Sequence, residues 1–173
     1  MSSKELLYSE SRQQIRRIGV ISDTHGLIRP EALKILQGSD LIIHAGDIGG
    51  SRILDILRSI APVVAVRGNM DGGWSETLPE TEVVETGKSL IYIIHDLGKI
   101  DLDPVVSGFG AIICGHSHRP SIQSCNGILF VNPGSAGPKR FEMQPSVAFI
   151  YVIDGKLEPM LIELKTGMVS QMR

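Results

Sequence analysis

The chain has 173 residues, a formal net charge of −2 at pH 7, and 42% hydrophobic against 21% charged residues. This composition is typical of one globular domain with its own core. There is no basic excess that would hold a nucleic acid by counterion release, and no apolar run approaches the roughly 18 residues that a membrane span needs. We therefore expect neither a nucleic acid nor a membrane as a partner.

The N-terminal segment differs in composition from the rest of the chain. Residues 1–14 are polar and charged and contain no apolar signal-peptide core, so we interpret them as a disordered leader. The remaining residues, 15–173, are predicted to form a single domain. Two cysteines, Cys114 and Cys125, are too few for a disulfide framework, which favours a reduced, cytoplasmic setting.

The first half of the domain alternates strands with helices. Short β-branched runs predict strands over Arg17–Ser22, Asp40–His44 and Val63–Val66. The helix between the first two begins at Pro30, and the next helix has Ser51 as its N-cap. This order predicts parallel strands joined by right-handed crossovers. In such sheets ligands bind beyond the carboxyl ends of the strands.

The second half changes to an antiparallel pattern. Paired strand-like runs predict three hairpins, with turns at Gly87-Lys88, Asn126-Gly127 and Asp154-Gly155. Between the first two hairpins we expect a short helix over Asp101–Ser107 and a buried strand over Ala111–Cys114. An αβ half followed by an antiparallel half predicts two packed sheets flanked by helices.

Polar residues of metal-binding type stand where the predicted strands end. The candidate metal ligands are seven: Asp23, His25, Asp47, Asn69, His95, His116 and His118. Oxygen and imidazole donors without cysteine suit a catalytic Mn, Fe, Co, Ni or Zn ion rather than a closed structural zinc site. Seven side chains exceed the need of one ion, so they predict two, with Asp47 as the bridge. Such a pair of ions serves phosphate-ester hydrolysis best.

The ordered motifs D-x-H, G-D, G-N-x-D, H and G-H-x-H resemble those of the calcineurin-like metallophosphoesterase superfamily. The later Asn132-Pro133-Gly134-Ser135 is similar to the small prokaryotic branch of that family, the YfcE-type phosphodiesterases. The resemblance spans Ile18 to Ile153 and implies an α/β fold, a four-layer α/β/β/α sandwich with two mixed β-sheets. It also implies a phosphodiesterase in which a metal-bridging hydroxide is the nucleophile.

The resemblance assigns each candidate ligand to one of two divalent ions, with Mn²⁺ as the first choice and Ni, Fe, Co or Zn as alternatives. The first ion would be bound by Asp23, His25 and His118. The second would be bound by Asn69, His95 and His116, with Asp47 between the two.

Two positions depart from the family pattern. Many members have G-N-H-D, whose histidine is proposed to protonate the leaving group, whereas this chain has Met70 at that position. Methionine cannot transfer a proton, so we expect weak activity on poor leaving groups and better activity on aryl phosphodiesters. Relatives often have His-Gly-His where this chain has His95-Asp96-Leu97, which adds a carboxylate near the second ion.

Several further residues are candidates for catalysis or substrate binding. Asp71 and Arg67 are candidate catalytic residues, and Arg67 either faces the phosphate or pairs with Asp71. Asn69 and Arg140 are candidate substrate contacts. His44, which precedes Asp47 in an apolar strand, is interpreted as a buried supporting histidine rather than a ligand.

The predicted partner is a small-molecule phosphate ester, and a homo-oligomer is compatible with the sequence. Specificity is expected from the Gly72–Pro79 and Gly98–Pro104 loops and from Trp74. The alternative function is a non-catalytic protein-interaction scaffold on the same fold, as in the retromer subunit that resembles this family. A scaffold tends to lose metal-binding histidines, whereas this chain retains a residue of metal-ligand type at every motif position.

Overall fold

The structure, a computed structural model, describes residues 16–138 and 143–165, and the backbone of a strand over residues 168–172. The predicted leader over residues 1–14 and the candidate substrate contact Arg140 lie outside the described residues. Among the described helices, none is long and apolar enough to cross a bilayer.

Eleven strands and two α-helices are found in the described part of the chain. The helices are α1 (Pro30–Leu36) and α2 (Ser51–Arg58). The strands are β1 (Arg17–Ile21), β2 (Leu41–His44), β3 (Val63–Ala65), β4 (Thr81–Glu85), β5 (Leu90–Ile94), β6 (Phe109–Ile113), β7 (Ser121–Cys125), β8 (Ile128–Asn132), β9 (Ser146–Ile153), β10 (Lys156–Lys165) and β11 (Met168–Met172).

The strands form two mixed sheets. The first sheet has the order β11-β10-β9-β1-β2-β3, and the second has the order β4-β5-β6-β8-β7. Strands β1, β2 and β3 pair in parallel, as predicted, and β9 lies antiparallel to β1. In the second sheet β5, β6 and β8 are parallel, and hairpins add β4 and β7 at its edges.

The three predicted hairpins are present, and the turn geometry of two of them explains why they form. Asn126 and Gly127 have φ angles of 51° and 80°, and Asp154 and Gly155 have φ angles of 51° and 81°. Two successive positive φ values define a type I′ turn, whose twist matches that of paired strands. The strand β11 had not been predicted from the sequence.

The core is layered, which confirms the predicted α/β sandwich. One apolar cluster lies between the sheets and includes Ile18, Ile91 and Val131. A second cluster joins the first sheet to α1 and α2, and a third, around Tyr92 and Ile112, covers the outer face of the second sheet. Burial at these interfaces supplies the main driving force for folding.

Two local predictions were wrong. The segment Asp101–Ser107 forms turns rather than a helix. Its turn starts only at Asp103, whose Oδ1 accepts from the Val105 N–H (2.9 Å) and whose carbonyl accepts from the Ser107 N–H (3.0 Å). Gly108 then takes a φ of 74° and ends the turn. Ser51 is the first residue of α2, and Gly50 occupies the N-cap position.

Gly127 allows a direct test of the turn geometry. A Cβ at Gly127 would meet no atom within 4 Å, so a Gly127→Ala change acts only through the positive φ. We expect it to lower the free energy of unfolding by about 1–2 kcal/mol in denaturant titrations. Gly72 is the matched control, because it also has free space and has a φ of −84°. An equal loss in Gly72→Ala would refute this account of the turn.

Candidate metal centre

Four of the predicted ligands form one compact group. Asp23, His25, Asp47 and His118 each present a ligand atom within 4.8 Å of the others. Nε2 of His118 lies 3.1 Å from Oδ1 of Asp23 and 3.4 Å from Nε2 of His25. These side chains come from the loops after β1, β2 and β6, so strands of both sheets supply them.

The other three predicted ligands meet at Asn69. Its Oδ1 lies 3.1 Å from Nε2 of His95 and 3.0 Å from Nδ1 of His116. His95 is buried, whereas the His116 side chain is 46% exposed. The structure therefore brings all seven predicted ligands into two adjoining groups, one enclosed and one open to solvent.

Asp47 lies between the two groups. Its Oδ2 is 3.9 Å from Nε2 of His25 and 3.4 Å from Nε2 of His95, while its Oδ1 accepts a hydrogen bond from the Met70 N–H (2.8 Å). Burial opposes the charge, but the hydrogen bonds from His95 and the Met70 N–H outweigh it and lower the pKa of Asp47 below its ordinary value. Asp47 is thus ionised, and its Oδ2 faces one histidine of each group.

Most of these residues have a strained backbone. Among the described residues, seven other than glycine have a positive φ, and two of these are the turn residues Asn126 and Asp154. The other five are predicted ligands: Asp23 (54°), His25 (47°), Asp47 (52°), His116 (65°) and His118 (58°). Left-handed backbone at such residues costs free energy and is concentrated at functional sites.

The carboxylate of Asp23 is fully buried, and neither of its oxygens has a well-aligned hydrogen bond from the described residues. An ionisable neighbour is His118, whose Nε2 lies 3.1 Å from Oδ1. The adjacent hydroxyl of Ser22 donates instead to the Ala45 carbonyl (3.2 Å). Burial accordingly raises the pKa of Asp23 to about 6. A buried carboxylate of this kind, within a cluster of ligand-type side chains, fits a bound cation.

The hydrogen bonds of His95 leave one ring nitrogen available. Its Nδ1 lies 2.7 Å from the Ala45 carbonyl, which can only accept, so Nδ1 carries the proton in the neutral ring. Nε2 of that neutral ring has a lone pair that could bind a metal, as in histidines that bind metals. In the protonated ring, Nε2 instead donates toward Oδ2 of Asp47, 3.4 Å away. Burial disfavours the imidazolium, but the bonds to Asp47 and to the Ala45 carbonyl prevail and raise the pKa of His95 in the metal-free protein.

His44 has the supporting position predicted for it. Its Nε2 lies 2.9 Å from Oγ1 of Thr24, whose own proton goes to the Ile48 carbonyl (2.8 Å). The Gly46 N–H approaches Nδ1 of His44 at 3.3 Å. Both ring nitrogens are therefore used in a neutral ring, and burial lowers the pKa of His44 to about 3. This bond holds Thr24, which lies between Asp23 and His25.

Two glycines allow the ligand loops to approach each other. A Cβ on Gly68 would overlap the carboxylate and the backbone nitrogen of Asp47, and a Cβ on Gly115 would overlap the hydroxyl of Ser22. No other residue type fits either position without moving a predicted ligand or its neighbour.

A set of supporting residues was missed as functional in the sequence. Nδ2 of Asn132 donates to the Gly115 carbonyl (2.7 Å) and to Oγ of Ser117 (3.0 Å), which fixes the loop carrying two histidines. Oγ of Ser135 donates to the Asp23 carbonyl (2.9 Å). The signal was the Asn132–Ser135 motif itself, which contributed only to the family resemblance.

Asp71 and Arg67 lie beside the ligands, and their contacts define what they do in this structure. Oδ1 of Asp71 accepts from the N–H groups of Ile48 and Gly49, and Oδ2 accepts from that of Gly68, all at 2.9 Å. Asp71 thus joins the loops after β2 and β3. Arg67 pairs with neither Asp71 nor a ligand: its Nη2 lies 2.6 Å from Oε1 of Glu80. A catalytic role for either residue stays a prediction.

The two departures from the family pattern both lie at the open group. Oδ2 of Asp96 is 3.8 Å from Nε2 of His116, so its carboxylate is near the second group, as expected. The side chain of Met70 is 66% exposed next to Asn69 and offers no proton donor.

A two-sheet sandwich with carboxylates and imidazoles at its strand ends is the architecture of a metal-dependent hydrolase class. Residues 17–155 match the calcineurin-like phosphoesterase superfamily domain, and the chain belongs to that superfamily. The predicted family resemblance is confirmed.

Named relatives and solved structures support the same placement. The chain is 40% identical to a probable metallophosphoesterase of Methanocaldococcus jannaschii, over 86% of this chain and 81% of that protein. It resembles Vps29 from Entamoeba histolytica, solved with Zn²⁺, with a TM-score of 0.76 and 26% identity over 90% of this chain and 97% of that one. The phosphoesterase YfcE from E. coli shares the fold at 20% identity and a TM-score of 0.66, over 90% and 98% of the chains.

The raised pKa of the buried Asp23 carboxylate predicts how the stability of the metal-free protein depends on pH. The pKa of Asp23 is about 6 in the folded state against an ordinary 3.8, so its ionisation destabilises the fold. This cost is absent below pH 3.8, grows up to pH 6 and is complete above it. We expect Asp23→Asn to raise the free energy of unfolding by roughly 3 kcal/mol near pH 8, and the gain to vanish near pH 4.

Denaturant titration with a chelator present, at both pH values, measures this gain. Asp55→Asn is the matched control, because Asp55 is exposed on α2 and pairs with Arg58 at 3.0 Å. A variant at position 23 that is less stable than the wild type near pH 8 would contradict the interpretation.

Proposed function

We propose that the chain is a binuclear metal-dependent phosphoesterase, and within that class a phosphodiesterase. The observation that carries this proposal is the fully buried carboxylate of Asp23, which lacks a well-aligned hydrogen bond, inside a group of four ligand-type side chains. A protein keeps such a group only where something binds it, because its burial otherwise costs stability. Metal ions are the partners that suit carboxylate and imidazole donors.

The residues of the site fit two divalent ions. In our proposal the enclosed group holds one ion through Asp23, His25 and His118. The open group holds the other through Asn69, His95 and His116. Asp47 serves both, because the same Oδ2 faces His25 and His95. When bound, two such ions supply an activated water and neutralise charge on the phosphoryl oxygens.

The chain's own residues orient these donors. The Nδ1 proton of His95 goes to the Ala45 carbonyl, which directs Nε2 to the site. The Met70 N–H fixes Oδ1 of Asp47 and thereby turns Oδ2 toward both groups. We further propose Mn²⁺ as the native metal and Asn69 as a residue that also contacts the substrate.

The identity of residue 70 defines the substrate preference. No described side chain next to Asn69 on this loop can protonate a leaving group, since Met70 stands where a histidine is common in the family. We therefore propose aryl phosphodiesters as the better substrates, because an aryl oxide leaves without a proton. The proposed setting is the cytoplasm, where Cys114 and Cys125 stay as the free thiols seen in the structure.

The alternative function is a non-catalytic scaffold, and Vps29 shows that it needs a discriminating test. The Vps29 structure from E. histolytica was solved with Zn²⁺, so metal binding alone does not separate the two functions. Turnover does. Metal-loaded protein that hydrolyses no ester with any divalent ion would favour the scaffold.

The bridging role of Asp47 is tested by Asp47→Asn. We expect this variant to lose at least one bound ion per chain and to hydrolyse bis(4-nitrophenyl) phosphate with Mn²⁺ about a hundredfold or more slowly, because an amide bridges two cations poorly. Metal analysis and the rate of nitrophenolate release measure both effects. Asp55→Asn should match the wild type. Full metal content and activity in Asp47→Asn would refute the bridge.

The role of position 70 is tested by Met70→His. An imidazole there supplies the missing general acid, so we expect the rate for an alkyl phosphodiester to rise about tenfold to a hundredfold. The rate for bis(4-nitrophenyl) phosphate should change little, since its leaving group needs no proton. Met70→Leu controls for the loss of methionine. An equal gain for both substrates would indicate that the histidine acts in some other way.

A further inference from the structure

A cavity of about 300 Å³ adjoins the open group of ligands. Asn69 and His95 form part of its lining, together with Thr81 of β4 and with Tyr92 and Ile94 of β5. Tyr92 and Ile94 belong to the apolar cluster on the outer face of the second sheet. The cavity therefore runs from the proposed second metal position along that face, away from the enclosed group.

Tyr92 presents to this cavity a hydroxyl that has no hydrogen-bond partner among the described residues. The side chain is 6% exposed, its ring packs 5.0 Å from that of Phe109, and its hydroxyl makes no hydrogen bond with any described residue. In the described chain, the only fully buried side-chain nitrogen or oxygen atoms without a partner belong to Arg17 and Asp23. The Tyr92 hydroxyl hence reaches open space, and the cavity is the space that Tyr92 lines.

The Tyr92 hydroxyl is placed to contact a ligand. The ring is buried but its hydroxyl faces the cavity, and phenylalanine would fill the same space without a polar atom. The remainder of the surrounding cluster is apolar, so it does not itself need the hydroxyl. A ligand that enters the cavity and displaces its solvent must give this hydroxyl a hydrogen-bond partner.

The charges around the cavity limit what can enter. Its two basic residues are Arg67 and Lys99, and its three acidic residues are Glu80, Asp96 and Asp101. Nη2 of Arg67 is already paired with Oε1 of Glu80 at 2.6 Å. No surplus of positive charge is left for a second phosphate, which excludes a polyanionic strand and favours an uncharged group.

We propose that this cavity binds the organic group of the phosphate ester, that this group is neutral and bears a hydroxyl, and that Tyr92 is its hydrogen-bond partner. The proposal rests on the proposed function, since the phosphate is held at the metals. A volume of about 300 Å³ is at the lower end for small-molecule pockets and suits one substituted ring. Tyr92 is thus a specificity-determining residue, and the outer face of the second sheet selects the substrate.

Arylphosphonates test this proposal without turnover, because each carries one organic group and no bond that the enzyme cleaves. Calorimetry on Mn²⁺-loaded protein would compare phenylphosphonate with its ortho-, meta- and para-hydroxy derivatives. We expect at least one hydroxy isomer to bind the wild type about tenfold more tightly than phenylphosphonate. Tyr92→Phe should lose this preference and keep its affinity for phenylphosphonate and its thermal stability.

The matched control is Tyr151→Phe, the same change on β9 of the other sheet, where the ring packs against Phe149. It should keep the preference. A second variant, Thr81→Phe, fills the cavity and should weaken binding of every arylphosphonate. The proposal is overturned if no hydroxy isomer is preferred, if Tyr92→Phe retains the preference, or if Thr81→Phe binds arylphosphonates as the wild type does.

Inorganic phosphate separates this inference from the proposed function. Phosphate needs only the metals, so wild-type protein that binds phosphate but shows no preference among the arylphosphonates refutes the cavity alone. Metal-loaded wild type that binds neither phosphate nor any phosphonate refutes the proposed function and this inference with it.

Discussion

The structure depends on one constraint, which is that acidic and imidazole side chains of two sheets converge where water is largely excluded. Asp23 and Asp47 are both buried, but interactions with the protein outweigh the cost of burying the charge only at Asp47, whose pKa is lowered, whereas burial raises that of Asp23. Five residues of the site hold a left-handed backbone in addition. Both features cost stability. The rest of the fold must therefore be stable enough to carry this site until a ligand compensates it.

The fold stabilises the site through hydrogen bonds that connect the loops carrying the candidate ligands to one another. Asp71 joins the loops after β2 and β3 through three backbone N–H groups. Asn132 and Ser135 bind the loops after β6 and β1. Because these bonds connect elements that are distant in sequence, each loop is positioned by its neighbours. Rigid support of this kind is what precise metal geometry requires.

The clustering of the candidate ligands could be predicted because each one follows an apolar run, and parallel strands bring such ends together. The sequence predicted two of the hairpins because Asn-Gly and Asp-Gly pairs, here Asn126-Gly127 and Asp154-Gly155, adopt the two positive φ angles of a type I′ turn more readily than other residue pairs. It could not predict that Arg67 pairs with Glu80, since that contact depends on where the chain returns after Pro79. The helix expected over Asp101–Ser107 failed because the side chain of Asp103 starts the turn and Gly108 ends it with a positive φ. The four residues between them form about one turn, which does not overcome the cost of nucleation.

The two sheets contribute differently to the site, and this difference explains why the fold can serve more than one function. Strand ends of the first sheet supply Asp23, His25, Asp47 and Asn69, so its geometry sets the ligand positions. The second sheet adds histidines, but its outer face also lines a cavity through Tyr92 and Ile94. Residues on that face can change without moving a ligand, because Ile91 and Ile93, which alternate with them along β5, form the core between the sheets. In the proposed enzyme, selectivity can therefore vary while packing holds the candidate ligands in place.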